Sequence, residues 1–536
     1  MAEIRFEVIS WTGDEYIMVI NINGRNNMNL NCETQKAGFC ETVFESTAEQ
    51  SLDADISLPD YCPEIQRILK CTVSPNVTSV QNNSGRVTAD VNAAVRVIYA
   101  DENGKIAAYE QNYPLQKFIE SNKITSDSAV SVTVNTDYVN CRAVNSRRID
   151  IRGILTFLFR ATNKREEHIL CGVSGGGMQV SSYEYSFASV TGVCERAFSM
   201  SEVVELDDNR EPVSRIINVS SNVSANDVKV INNKALIKGE CNVKIYYVAE
   251  SGSVESVEHS MPMSQIVELE GLNERSVSSL SLNVCSCEAA AKSNTSGDMR
   301  LIDLNMRITA FMVAFDEIPL SLIDDAYSTE YEVKNTVKNT EIFEYNDNIG
   351  SVFINKVVFE SIGVSVDCVL AVWCSDLKYN FGCKDGQFVA TGTYNANILY
   401  KDSDNEPGVV QKLVDFEYVS KLPAKAEKIL SYGSVAVLGC SCAATGDSRL
   451  ELKTEMSVSA TVLTNSIRKY IASTELSGER ARNKKPCALT IYFCNGNETL
   501  WNIAKKYATT VDAVMSENGI DDECVESGRM LLIPGV

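Results

Sequence analysis

Along most of this chain apolar side chains recur at every second position. In RVTADVNAAVRVIYADENG, from Arg86 to Gly104, Val91, Val95 and Val97 share one side, the period-two signature of a half-buried strand. Runs of this kind are short and are punctuated by Asn, Gly, Ser and Asp, the residues that turns require. Near the carboxyl end the period changes. In ETLWNIAKKYATTVDAV, from Glu498 to Val514, Leu500, Ile503, Ala504 and Tyr507 recur at i, i+3, i+4 and i+7, which predicts a short helix with one apolar face. A second helix is expected after it, with Thr509 as its cap, Asp512 three residues on, and Val511, Val514 and Met515 on one side. The expected fold is mainly β with a small α+β tail.

The strand pattern itself repeats. Arg67-Ile68 matches Arg215-Ile216, Tyr99 matches Tyr247 and Gly104 matches Gly252, each at an offset of 148 residues. A third version, QFVATGTYNANILYKDSDN, starts at Gln387, and Cys141-Arg-Ala with Arg148-Ile-Asp-Ile parallels Cys442-Ala-Ala with Arg449-Leu-Glu-Leu. Arg300-Leu-Ile-Asp-Leu is the middle version of that strand. Three tandem antiparallel β-rich domains are therefore expected, at 28–195, 196–345 and 346–486, followed by a separate module at 487–536. Residues 1–27 fit neither pattern and read as a weakly ordered extension or a mis-called start.

Composition narrows the partners. Acidic residues outnumber basic ones 71 to 49, for a net charge of −22, which disfavours duplex nucleic acid and anionic lipid surfaces. No stretch reaches the roughly 20 apolar residues of a membrane-spanning helix, and the amino terminus has no basic region ahead of an apolar core, so a cytosolic location is expected. The 18 cysteines include no C-x-x-C spacing. The two C-x-C pairs, Cys285/Cys287 and Cys440/Cys442, are expected to point i and i+2 into a core as small apolar groups.

Catalytic signals are absent. The two histidines, His168 and His259, stand far apart and at unmatched places of the repeat, with no nucleophile-elbow, phosphate-loop or zinc-protease spacing around them. The glycine run in GVSGGGMQV, Gly172 to Val180, has no following Lys-Ser/Thr and reads as a loop. Recurrent arginines, Arg67, Arg148, Arg300 and Arg449, are expected to close structural ion pairs, the alternative being a shared acidic ligand. No enzyme activity, cofactor or metal is expected.

Two resemblances follow from these pieces. Residues 489–536 resemble a LysM domain, a βααβ module: the strand LTIYF, the helix through Thr499-Leu-Trp-Asn-Ile-Ala-Lys-Lys-Tyr, the second helix through Val511 to Met515, Asn518, and the closing strand Gly528-Arg-Met-Leu-Leu-Ile-Pro534. Asp55-Ile56, Leu58-Pro59-Asp60, Pro63, Ile65, Arg67, Ile68 and Leu69 resemble the opening of the tandem domain of clostridial SipL-type spore-coat proteins. The second copy keeps Pro212, Arg215 and Ile216, and the third is divergent.

The SipL-type resemblance implies a non-catalytic morphogenetic adaptor in the mother cell at the forespore surface. Its LysM domain would dock onto the coat-organising ATPase SpoIVA, with the β domains as spacers able to self-associate through exposed edges. The LysM resemblance alone implies the alternative, binding of peptidoglycan or another N-acetylglucosamine polymer in the groove between the first strand–helix loop and the second helix–strand loop. That groove would hold Asn497, Glu498, Thr499 and Leu500 on one side and Asn518 and Ile520 on the other. The family's usual Gly-Asp-Thr is Asn497-Glu498-Thr499 here, which adds a side chain at a close approach. Helical geometry turns Trp501 about 100° from Leu500, to a flank beside Lys505 suited to anchoring a protein partner or to covering the edge of the small core.

Overall fold

The computed structural model of the chain describes residues 30–361, 363–424, 426–446, 448–481, 489–495, 498–521 and 526–534, together with two short strands near the start. These two, β1 (Ile4–Val8) and β2 (Met18–Ile22), pair antiparallel. The rest of 1–27, where an extension or mis-called start was expected, lies outside the described residues.

Three units of the same topology follow. The first comprises β3 (Asn31–Ser57), β4 (Arg67–Asn82), β5 (Arg86–Ala100), β6 (Ile106–Glu120), β7 (Ala129–Asn145) and β8 (Arg148–Ser174). Strands β4, β5 and β6 form a meander, while the return strand β8 enters between β3 and β7, so two three-stranded antiparallel sheets face each other. The second unit repeats this with β9 (Met178–Glu205), β10 (Val213–Ile231), β11 (Lys234–Ala249), β12 (Val254–Glu268), β13 (Val277–Lys292) and β14 (Leu301–Ser328). The third does so with β15 (Tyr331–Phe359), β16 (Cys368–Lys384), β17 (Gln387–Lys401), β18 (Pro407–Lys421), β19 (Ile429–Gly446) and β20 (Arg449–Ala481).

Alternation decides each core. From β5, Val87, Ala89, Val91, Ala93, Val95, Val97 and Tyr99 all enter the space between the sheets, where Ile149, Ile151, Leu155, Phe157 and Phe159 of β8 meet them. Ile237, Cys241, Val243, Ile245 and Tyr247 do the same in the second unit, and Phe388, Tyr394, Ile398 and Tyr400 in the third. At about 25 cal/mol per Å² of apolar area removed from water, such interfaces supply the main favourable term of folding.

The junctions between units fall in turns at 175–177 and 329–330. The first of these turns is Gly175-Gly-Gly177 with all three φ positive, so the glycine run is a loop. The boundaries expected at 195/196 and 345/346 instead cut through β9 and β15, because the repeat is most legible in the meander while the long outer strands that complete each unit vary more in pattern.

Bulges recur with the repeat and explain how the units join. Strand β4 carries one at Leu69, β10 at Ile217 and β16 at Leu370, each equally placed on an edge strand. A bulge leaves its residue unpaired and bends the edge. Ile217, with Leu69 and Leu370 packed alongside, joins Ile98, Tyr246, Trp373 and Leu399 in one apolar cluster drawn from all three meanders. Strand β6 touches β10, β12 touches β16 and β18 touches β4, which closes a ring. Arg67 seals it, its Nη2 donating to the Pro407 carbonyl at 2.7 Å with Glu406 3.7 Å away. Part of each meander edge is thus used within the ring.

Beyond the sandwiches the long pairs β3/β8, β9/β14 and β15/β20 continue as two-stranded ribbons. These meet through Ala37, Phe39 and Ile169, Phe187, Leu320 and Leu322, and Ile342 and Tyr470. The tail module, β21 (Leu489–Phe493), α1 (Leu500–Tyr507), α2 (Val511–Asn518) and β22 (Met530–Pro534), packs on the end of the second ribbon.

Candidate functional site

The tail is built by its caps. Thr499 precedes α1 with an extended backbone and accepts from the Asn502 amide at 3.2 Å, while Lys505 and Lys506 lie in the last turn, where cations favour the helix dipole. The second cap is Thr510, which accepts from the Ala513 amide at 3.1 Å. The expected cap, Thr509, is one residue too early to reach that amide and is buried instead. Gly519 closes α2 in the left-handed region, where a side chain would be strained. Strands β21 and β22 pair in register from Leu489 with Pro534 to Phe493 with Met530.

Placed on this frame, the expected site residues separate. Leu500, fully buried, and Ile520, 7% exposed, are core residues. The side-chain amide of Asn518 clasps β22, donating to the Leu532 carbonyl at 2.7 Å and accepting from the Leu532 amide at 2.7 Å. Its Nδ2 also reaches the Val514 carbonyl at 2.8 Å. Glu498 accepts from the Tyr492 hydroxyl at 2.7 Å and the Asn495 amide at 3.0 Å. The Tyr492 bond holds the Glu498 carboxyl below its usual range and pushes the phenol up to about 12. Asn497 lies outside the described residues.

Trp501 and Lys505 sit together on the flank of α1, and that flank is docked on the body. The Trp501 indole donates to Asp325 Oδ2 at 2.8 Å, and Lys505 Nζ reaches both Asp325 oxygens at 2.6 Å. Tyr327 presents its ring edge-on to Trp501 at 4.9 Å and donates its hydroxyl to the Thr509 carbonyl at 2.8 Å. Tyr327 is buried in the tail's own core, so the module is anchored to the end of β14.

The tail's free face lies elsewhere. Leu489, Ile491 and Phe493 project from the side of β21 away from the helices and are 44%, 61% and 63% exposed; Met530, opposite Phe493, is 51% exposed. Four large apolar side chains are thus left exposed on one face of the tail. Its signal stood in the sequence: LTIYFC is apolar on both faces, yet a two-stranded sheet backed by two helices covers only one.

The recurrent arginines have internal partners. Arg148 forms a two-pronged pair with Asp55, Arg300 Nη1 donates to the Arg210 carbonyl at 3.0 Å, and Arg449 lies 3.4 Å from Glu360. Of the two C-x-C pairs, Cys440 and Cys442 share the third core. In the other, a bulge at Cys285 breaks the alternation, so Cys287 joins the second core while Cys285 packs against the first. Among the described residues no group of three or more His, Cys, Asp or Glu is placed to hold a metal, and no helix is long and apolar enough to cross a membrane.

Tandem two-sheet units ending in a βααβ module define a modular, repeat-built class of protein. The family comparisons specify it: residues 64–144 and 212–292 each match the SipL, SPOCS domain, and residues 497–534 match the LysM domain. The chain therefore has the SipL-type architecture, two SPOCS domains followed by a C-terminal LysM domain. The two SPOCS matches span β4 to β7 and β10 to β13, and the third unit carries the same strand order. No curated protein and no solved structure matches the chain. Both families are non-catalytic binding modules, and the SPOCS domain ties the chain to sporulation.

Proposed function

We propose that this chain is a non-catalytic adaptor of spore-envelope assembly, in the mother cell at the forespore surface, and that its LysM domain docks onto the coat-organising ATPase SpoIVA. The observation that carries this reading is the apolar strip of Leu489, Ile491, Phe493 and Met530. It sits on a module whose α1 flank is already fixed to the body, and apolar side chains of this size recognise another protein surface. The Trp501–Lys505 flank, a candidate anchor from sequence, serves in this reading to orient the module.

The LysM match favours a second reading, binding of peptidoglycan or another glycan. Against it, Glu498 and Asn518 already spend their polar atoms on Tyr492, Asn495 and Leu532. Parallel pull-downs of the full chain on immobilised SpoIVA and on peptidoglycan distinguish the two. Retention by SpoIVA, lost in the Ile491→Asp variant, supports the adaptor. Retention on peptidoglycan alone supports the glycan reading and removes the adaptor's docking step.

A further inference from the structure

We propose that two thiol pairs, Cys71 with Cys141 and Cys374 with Cys440, are oxidation sites that close into disulfides joining the two sheets of the first and third units. In each unit the edge strand of the meander runs beside the edge strand of the other sheet: β4 beside β7, β10 beside β13, β16 beside β19. Side chains on these flanks therefore meet across the sandwich. Cys71 and Cys141 pack against the first core and Cys374 and Cys440 against the third, the two thiols of each pair lying close enough to perturb one another.

The bulges give a common ruler. Counted from Leu69 and Leu370 on one strand, and from the bulges after Thr136 and Val437 on the other, the two pairs occupy neighbouring rungs of one flank. In the second unit the rung of Cys374 and Cys440 is filled by Ser221 and Cys287, which also lie close together. Contact on this rung is a property of the fold, and where both partners are cysteine it places two sulfurs together.

Access and reactivity agree. Cys71, Cys374 and Cys440 line an open cavity of about 1510 Å³ bordered by all three units, through which water and small oxidants can reach them. Cys71 pulls the Cys141 thiol down, and Cys374 does the same for Cys440, with Lys244 assisting. By contrast, burial pushes Cys241, Cys287 and Cys442 up to about 11. The thiolate is the nucleophile, and in each pair one thiol faces the partner that can resolve it.

With hydrogen peroxide as oxidant, the thiolate sulfur attacks one peroxide oxygen, the O–O bond breaks, and a sulfenic acid and one water result. The partner thiol then attacks that sulfur; the S–S bond forms, the S–O bond breaks, and a second water leaves with the remaining proton. Two thiols and one peroxide give one disulfide and two waters. Each bridge closes a loop on the order of 70 residues, long enough to restrain the unfolded chain strongly.

The test treats the reduced full chain with hydrogen peroxide in native buffer, alkylates remaining thiols in denaturant and maps the peptides by mass spectrometry. Cross-links Cys71–Cys141 and Cys374–Cys440 are expected, reversible by dithiothreitol, with the urea unfolding midpoint raised. Cys71→Ser and Cys374→Ser should each lose one link and keep the native circular dichroism spectrum. Full alkylation of all four after peroxide, or scrambled pairings in protein that keeps its native spectrum, overturns the proposal.

Discussion

Glu195 shows how one side chain couples this protein to pH. Its carboxyl is buried, Oε2 has no hydrogen-bond partner among the described residues, and the neighbouring Arg196 guanidinium donates to the Glu195 backbone carbonyl. Desolvation pushes the carboxyl up to about 8. A carboxylic acid raised in the folded state holds a proton that the unfolded chain releases above its ordinary range. Stability from this group is therefore fully present below about pH 4.5 and falls as pH rises towards 8. Glu195→Gln should stabilise the protein by a few kcal/mol at pH 8, on the order of the linkage expected for such a shift, and by much less at pH 4.5. Equal effects at both pH values, measured by urea unfolding, would contradict the assignment. At the same scale, Tyr327→Ala removes a buried ring from the module's core and should cost roughly 3–5 kcal/mol in the cooperative unit that holds the tail. Hydrogen exchange in α1 is the readout, and it should accelerate while β5 stays protected.

At the scale of elements, the equivalent bulges at Leu69, Ile217 and Leu370 explain why the units form a ring and not a string. Each turns an edge strand inward and supplies an apolar residue to the shared cluster. Ile217→Asp places an unpaired charge there and should uncouple the units, an outcome visible as a split thermal transition. The strands themselves were legible in sequence, because period-two alternation such as Val91, Val95 and Val97 is decided by local burial. Helix α1 was legible for the same reason. Bulges were not, since an extra residue in an edge strand leaves no fixed residue signature. That is why Cys285 and Cys287 read as one face although they divide between two cores. The cap of α2 was misplaced by one residue because Thr509 and Thr510 are chemically identical, and only the approach of Tyr327 separates their roles.

For the whole molecule, Asp325 and Tyr327 hold the LysM domain at the end of the second ribbon and its β21/β22 face stays exposed. A module held in this way would present the proposed docking strip without the orientational entropy of a flexible tether. The family and the repeat could be read from residues such as Pro63, Arg67 and Ile68. The joint of the tail with β14 could not, because Asp325 and Tyr327, which take up the Trp501–Lys505 flank, lie about 180 residues away in the chain. The most direct test is the affinity of the full chain for SpoIVA, by titration calorimetry, in wild type, Phe493→Asp and Glu498→Ala. The adaptor account predicts at least roughly tenfold weaker binding for Phe493→Asp and near-native binding for Glu498→Ala. Unchanged binding in Phe493→Asp, or loss confined to Glu498→Ala, would contradict it.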